Sequence, residues 1–273
     1  MSYVYLAVEL ASERDVAIKV LTPRLARDAG SVERLRREAT LAMRLNQANV
    51  CQIVHMGRTP DQTLYLVMPY LRGETLADSE TRRGPYPLDE ALPILRQVSR
   101  GLQHAHELGV IHRDLKPENV MLVPDQSPPG GIRAVVMDFG LAKALEAGPE
   151  LTKLTQTGIV LGTPEFMSPE QVRGKPIDGR SDLFALGVLA FELLTGRLPF
   201  EGRTQQETML ARLRGTPTAL RQVRPDLPAW LEQSLARALA SNPDQRFEDM
   251  NAFEKSLEGG TVSGVFARLF GRG

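Results

Sequence analysis

The chain has 273 residues, of which 42% are hydrophobic and 24% charged, enough for one large domain or two small ones around a sizeable core. Lys+Arg and Asp+Glu both number 33, and a chain with no basic surplus is poorly suited to general binding of nucleic acid or anionic membrane. One cysteine, Cys51, excludes a disulfide framework and a cysteine-rich zinc site, and fits a reducing, cytoplasmic setting. No basic leader opens the chain. The most apolar stretch, Leu183 to Leu194, is too short for a bilayer and contains Glu192, so a buried helix is expected there.

Residues 3–8 and 15–20 are β-branched and aromatic, with the polar segment Glu9 to Arg14 between them, and predict a hairpin. Gly30-Ser31 then opens a helix, with Ser31 as N-cap. Its apolar stripe is Val32, Leu35, Ala39, Ala42 and Leu45. Residues 64–68 read as another strand and Pro69 to Gly73 as a connector. Helical spacing runs through 89–108, where Gly109 supplies the stop. Strands are expected at 120–123 and 132–137, flanking the Pro/Gly loop Pro124 to Gly131. A helix apolar on nearly all sides spans Ser181 to Thr195. Further helices are expected at 204–214, 228–240 and 247–257. The tail, with Val265, Phe266, Leu269 and Phe270, follows a Gly-Gly break.

Three motifs carry chemistry. In His112-Arg113-Asp114-Leu115-Lys116-Pro117-Glu118-Asn119, an Asp that can orient or deprotonate a hydroxyl stands near a Lys and an Asn. The Lys can neutralise a transferring phosphoryl group, and the Asn oxygen suits Mg²⁺. Asp138-Phe139-Gly140 places a carboxylate at a strand end, where it can ligate Mg²⁺ held by phosphates. Val16-Ala17-Ile18-Lys19 sets a Lys in an apolar strand, which requires a partner, and Glu38 on the following helix is the natural one.

These residues together resemble the eukaryotic-like protein kinase family, specifically the bacterial serine/threonine protein kinases, from about Val4 to about Leu257. The segment Gly162 to Glu170 resembles the family's substrate-docking segment. Asp182 and Gly187 match its Asp-x-x-x-x-Gly, and Arg246 matches the Arg that pairs with the docking Glu, here Glu170. The resemblance implies an α+β fold of two lobes: a small β-rich lobe at 1–68, a hinge at 69–73 and a larger helical lobe at 74–258, with 259–273 as tail. It implies transfer of the γ-phosphoryl of MgATP to Ser or Thr hydroxyls of a protein. Lys19, fixed by Glu38, would hold phosphates, Asp114 and Lys116 would act on the reacting groups, and Asn119 and Asp138 would hold Mg²⁺. Val4, Ala17, Met68 and Met121 would enclose the adenine. Arg113, beside Asp114, would meet an anion from Thr152, Thr155 or Thr157 after autophosphorylation, a step that implies a homodimer. His112 belongs to the structural frame of the same motif.

The family's opening strand and Gly-rich loop have no counterpart here, since Met1-Ser2-Tyr3 falls where that loop would end. Two expectations follow: a start that lies upstream and restores the loop, or a non-catalytic scaffold of the same fold.

Overall fold

A computed structural model describes residues 2–21, 29–61, 63–127, 131–139, 164–202 and 204–260, with the side chains of 2, 29–35, 205, 206, 214 and 260 outside the description. Strands β1 (Ser2–Glu9) and β2 (Arg14–Leu21) pair antiparallel, Val4 opposite Lys19 and Leu6 opposite Ala17. Strand β3 (His55–Arg58) and strand β4 (Leu64–Pro69) complete a sheet of order β1-β2-β4-β3. Cross-strand partners share a face of the pleat. Val4, Leu6, Ala17, Lys19, Leu66 and Met68 therefore line one side of this sheet.

Helix α1 (Ala29–Ala42) crosses between β2 and β3 in the chain. It is already helical at Ala29, so Ser31 lies inside its first turn and is not its N-cap. Ala39, Ala42 and Leu45 of the expected stripe are buried. The stretch β3 was not legible as a strand. His-Met-Gly-Arg has no β-branched residue, and its pairing with β4 makes it one.

After the connector, β5 (Glu74–Thr75) leads into α2 (Leu76–Arg83), a helix the periodicity did not reveal. Its signal was local: Thr75 caps the Asp78 N–H while Asp78 returns to the Thr75 backbone. Helix α3 (Leu88–Glu107) follows, and Gly109 just beyond it takes a left-handed φ of 74°. Strands β6 (Val120–Pro124) and β7 (Ile132–Val136) join β5 in a second antiparallel sheet of order β5-β6-β7. Helix α4 (Pro169–Val172) is a single turn capped by Ser168.

Helix α5 (Gly179–Thr195) starts at its Asp178 cap and ends on Gly196, at a left-handed φ of 68°. Past its first two residues, only Glu192 is not buried. It forms the axis of the larger core, against which α3 and α8 (Ala229–Ala238) pack. Helices α6 (Gln205–Arg214), α7 (Leu220–Val223) and α9 (Met250–Ser256) complete the helical part. The α9 helix begins at its Asp249 cap, three residues later than the periodicity predicts. The tail residues Val265, Phe266, Leu269 and Phe270 lie outside the described residues.

The two sheets are joined by the segment before β3. The Cys51 N–H donates to the Val136 carbonyl at 2.8 Å, and the Val136 N–H donates to the Asn49 carbonyl at 2.9 Å. Buried Asn49 also donates from Nδ2 to the Ala134 carbonyl at 2.8 Å. This seam fixes α1 and the first sheet against β7, at whose end Asp138 lies.

Candidate active site

The loop between α3 and β6 is held by a buried carboxylate. Asp182, 1% exposed, accepts from the backbone N–H groups of His112 and Arg113, each at 2.8 Å. Its Oδ2 also lies 2.7 Å from His106 Nε2. Burial by itself would raise this carboxyl, yet the bond and charge of His106 and the backbone N–H of His112 hold it below the ordinary carboxylate range. Gly179 makes room for this contact, because a Cβ there would stand 2.6 Å from His106 Nδ1. Sequence reasoning missed His106, although it sits in the last turn of α3, next to the motif it anchors.

The His112 ring is clamped from both sides. Its Nδ1 accepts the Asp114 N–H at 3.3 Å, so Nε2 carries the hydrogen directed to the Met137 carbonyl at 2.7 Å. Phe139 packs edge-on against the ring at 4.8 Å between centroids. Asp138 follows with a left-handed φ of 59°, and Arg113 takes a φ of 66°. Neither is glycine, so both are strained positions held by their surroundings.

The structure brings Asp114, Lys116, Asn119 and Asp138 together. Lys116 Nζ lies 4.0 Å from Asp114 Oδ2. Asn119 Nδ2 donates to the Asp114 carbonyl at 2.8 Å, which leaves its oxygen for another partner. The Met137 N–H donates to the Asn119 carbonyl at 2.8 Å and ties Asp138 to this loop. Met68 and Met121 pack on one small apolar cluster with Leu71 and Met137, around Cys51, Val123 and Val135. Burial, and secondarily the charge of Asp138, push the Cys51 thiol up to about 12, so it is an inert packing group. Val4 and Ala17 face the same side of the first sheet as Met68, and Leu6, which sequence reasoning missed, joins them.

One expected pairing is corrected. Lys19 does not take Glu38. Its Nζ lies 2.7 Å from Asp138 Oδ1, and Arg113 Nη1 donates to Glu38 Oε1 at 3.1 Å. Glu38 was expected because it lies on the helix that follows, between Leu35 and Ala39 of the apolar stripe. Folding brings in Asp138 from the end of β7 and Arg113 from the loop between α3 and β6, and Coulomb attraction follows distance in space.

Farther along, Arg246 donates from both terminal nitrogens to Glu170, at 2.7 and 2.8 Å, and Ser181 Oγ donates to the same carboxylate at 2.6 Å. Burial would raise the Glu170 carboxyl, but Arg246 and Ser181 bring it below its ordinary value. Gln171 Nε2 donates to the Arg113 carbonyl at 2.9 Å, tying α4 to the loop between α3 and β6. Gly140, Gly162, Thr163 and the threonines Thr152, Thr155 and Thr157 lie outside the described residues.

A carboxylate pair adjoins this region. Burial first, and then repulsion from Glu192 and Glu118, raise Glu80 of α2 to about 8. Burial, Glu118 and Glu165 raise Glu192 of α5 to about 7. Between the ordinary carboxylate range and pH 8 the folded chain thus binds more protons here than the unfolded chain, so stability falls as pH rises. Glu192→Gln is expected to flatten that fall, as read from urea midpoints between pH 5 and 8. An unchanged slope would show that the pair does not titrate in this way.

Comparison with known proteins agrees with this geometry. Residues 1–257 match the family model described as protein kinase domain. The chain is 39% identical to serine/threonine-protein kinase pkn3 of Myxococcus xanthus, over 94% of this chain and 47% of that protein. It is 37% identical to PrkC of Bacillus subtilis, over 94% of this chain and 38% of that protein. The chain therefore spans less than half the length of these relatives. Among solved structures, the kinase domain of Mycobacterium tuberculosis PknI aligns with a TM-score of 0.73 at 29% identity, covering 95% of this chain and 91% of that one.

Proposed function

Because the chain belongs to the protein kinase domain family, with bacterial serine/threonine kinases among its relatives, we propose that it transfers the γ-phosphoryl group of ATP to serine or threonine hydroxyls of proteins. The observation that carries this reading is the convergence of Asp114, Lys116, Asn119, Asp138 and Lys19 on one cleft, from the catalytic loop, the end of β7 and strand β2. A small β-rich lobe at 1–68, a hinge at 69–73 and a helical lobe at 74–258 would place that cleft between them.

The donor set fits a Mg²⁺ ion. Asp138 offers carboxylate oxygens, and the Asn119 amide is turned so that its nitrogen is spent on the Asp114 carbonyl. Mg²⁺ is commonly held by one or two such oxygens with the remaining positions filled by phosphates and water. When bound, the ion supplies charge neutralisation across the phosphates. The protein's own groups do the rest. Ala17, Val4, Met68 and Met121 present apolar surface to the base. Lys19 and Lys116 supply positive charge to the phosphates and to the moving phosphoryl group. Asp114 accepts or orients the hydroxyl proton of the acceptor. Thr152, Thr155 and Thr157 are proposed autophosphorylation positions, a reaction between two copies of the chain.

The test is incubation of the chain with Mg²⁺ and ATP alongside a Ser/Thr-containing protein, followed by intact mass and phosphoamino-acid analysis. Phosphoserine or phosphothreonine is the expected product. Nucleotide binding with no transfer would favour the scaffold reading. Phosphotyrosine alone would overturn the acceptor class. Lys19→Met is expected to weaken nucleotide binding at least tenfold by calorimetry, through loss of a charge-assisted contact to phosphate.

A further inference from the structure

Two buried arginines hold the segment that leads into α4. Arg246 forks onto Glu170. Arg212, near the end of α6 and 1% exposed, donates from Nη2 to the Glu165 carbonyl. A pair of rings joins the two guanidinium groups. Arg212 lies 5.9 Å from the Phe200 ring centre, Phe200 stacks on Phe184 at 5.9 Å, and Arg246 lies 4.9 Å from the Phe184 ring centre. A further tie runs in the other direction, since Arg173, just after α4, donates to the Leu213 carbonyl of α6 at 3.1 Å. Helix α6 is thus fastened to this segment both before and after α4. Gln171 then connects the segment to the loop that carries Asp114, through the Arg113 carbonyl at 2.9 Å. Burial pulls the Arg212 guanidinium down to about 10, against the charge of Glu165, so it remains a cation at neutral pH. An apolar side chain of similar volume would satisfy packing alone. The guanidinium adds a directed bond, and that bond fixes the Glu165 backbone.

We propose that Arg212 is a positioning residue for the protein acceptor: it acts through Glu165 and α4 to set where the acceptor hydroxyl meets Asp114. The inference rests on the function proposed above, and on the docking role that the resemblance assigns to Gly162 to Glu170, and names the residue that orients that segment. Without the Arg212 bond, Pro164 to Phe166 lose their anchor on α6. Arg246 still holds Glu170, and Gln171 still holds the Arg113 carbonyl, so the fold and the catalytic loop stay in place. The acceptor is then bound on a displaced surface, and a misplacement of about 1 Å costs up to about 10²-fold in rate. Water, the acceptor in slow hydrolysis of ATP, does not dock on this segment. Hydrolysis and nucleotide affinity are therefore spared, which separates positioning of the acceptor from general support of the fold.

The experiment compares the full chain with Arg212→Met, which keeps side-chain volume and removes the donors. Phosphoryl transfer is measured to dephosphorylated casein and to the Asp114→Asn chain as acceptors, ATP hydrolysis is measured without acceptor, and MgADP affinity is measured by calorimetry. Arg212→Met is expected to lower kcat/KM for the protein acceptors about tenfold, while hydrolysis and MgADP affinity stay within about twofold of the parent. Arg212→Lys retains one donor for the Glu165 carbonyl and is expected to recover part of the loss. This variant decides the matter if Arg212→Met does not fold, through a smaller loss confined to the protein acceptors. Unchanged transfer in the folded variants would overturn the inference, as would an equal loss of transfer and hydrolysis. A parent chain that hydrolyses ATP but phosphorylates neither acceptor would overturn the docking role of the segment, and the inference with it. A parent chain that neither binds MgADP nor hydrolyses ATP would overturn the kinase reading itself.

Discussion

Asp114→Asn is expected to lower phosphoryl transfer by about 10²–10⁴-fold, the range a positioned acid–base group contributes, while MgADP affinity stays within about twofold of the parent. The separation follows from geometry. Asp114 is placed by its backbone, through the Asn119 amide on its carbonyl and the His112 ring on its N–H. The substitution leaves those backbone bonds intact and removes the carboxylate charge, and with it the ability to accept a proton and the attraction for Lys116 Nζ at 4.0 Å. In the proposed reading, nucleotide contacts fall to Lys19 and to the apolar groups of both sheets, which the substitution does not touch. Single-turnover mass spectrometry gives the rate and calorimetry gives the affinity. An equal loss in both would mean that Asp114 supports the nucleotide and not the acceptor.

Breaking the Glu170–Arg246 pair is expected to have the largest effect on stability. Arg246 has a fully buried side chain that donates to both carboxylate oxygens and to the Arg180 carbonyl at 2.8 Å. Removal of one member of such a pair leaves an uncompensated buried charge and costs about 3–5 kcal/mol. Glu170→Ala is therefore expected to lower the thermal midpoint by on the order of 10 °C. Removal of the exposed Arg72 contact to Asp15 at 2.6 Å is expected to leave the midpoint nearly unchanged, because solvent screens the pair. Calorimetric melting of both variants checks the contrast, and equal midpoints would sink it. The pH dependence has a definite sign. The Glu170 carboxyl is depressed in the fold, so its contribution is present above the unfolded carboxylate pKa and is lost as pH falls through the lower folded value. In Glu170→Ala this part of acid destabilisation should be missing.

Spacing along the chain was enough for the elements with strong local signals. The β1–β2 hairpin, helix α3 with its glycine stop, and the apolar helix α5 each have a period or cap within one short window. The same holds for the cluster of Asp114, Lys116 and Asn119, whose members share one loop, so their proximity is covalent in origin. The Glu170–Arg246 pair was anticipated only through family resemblance, because 76 residues separate its members and no local rule connects them. Tertiary structure alone decided which charges meet. His106 reaches Asp182 across a glycine, Lys19 takes Asp138, and Glu38 takes Arg113. The physical reason is that periodicity and capping act over a few residues of chain. Charge pairing depends on distance and dielectric after the chain has folded, and the sequence lists the candidates without ordering them.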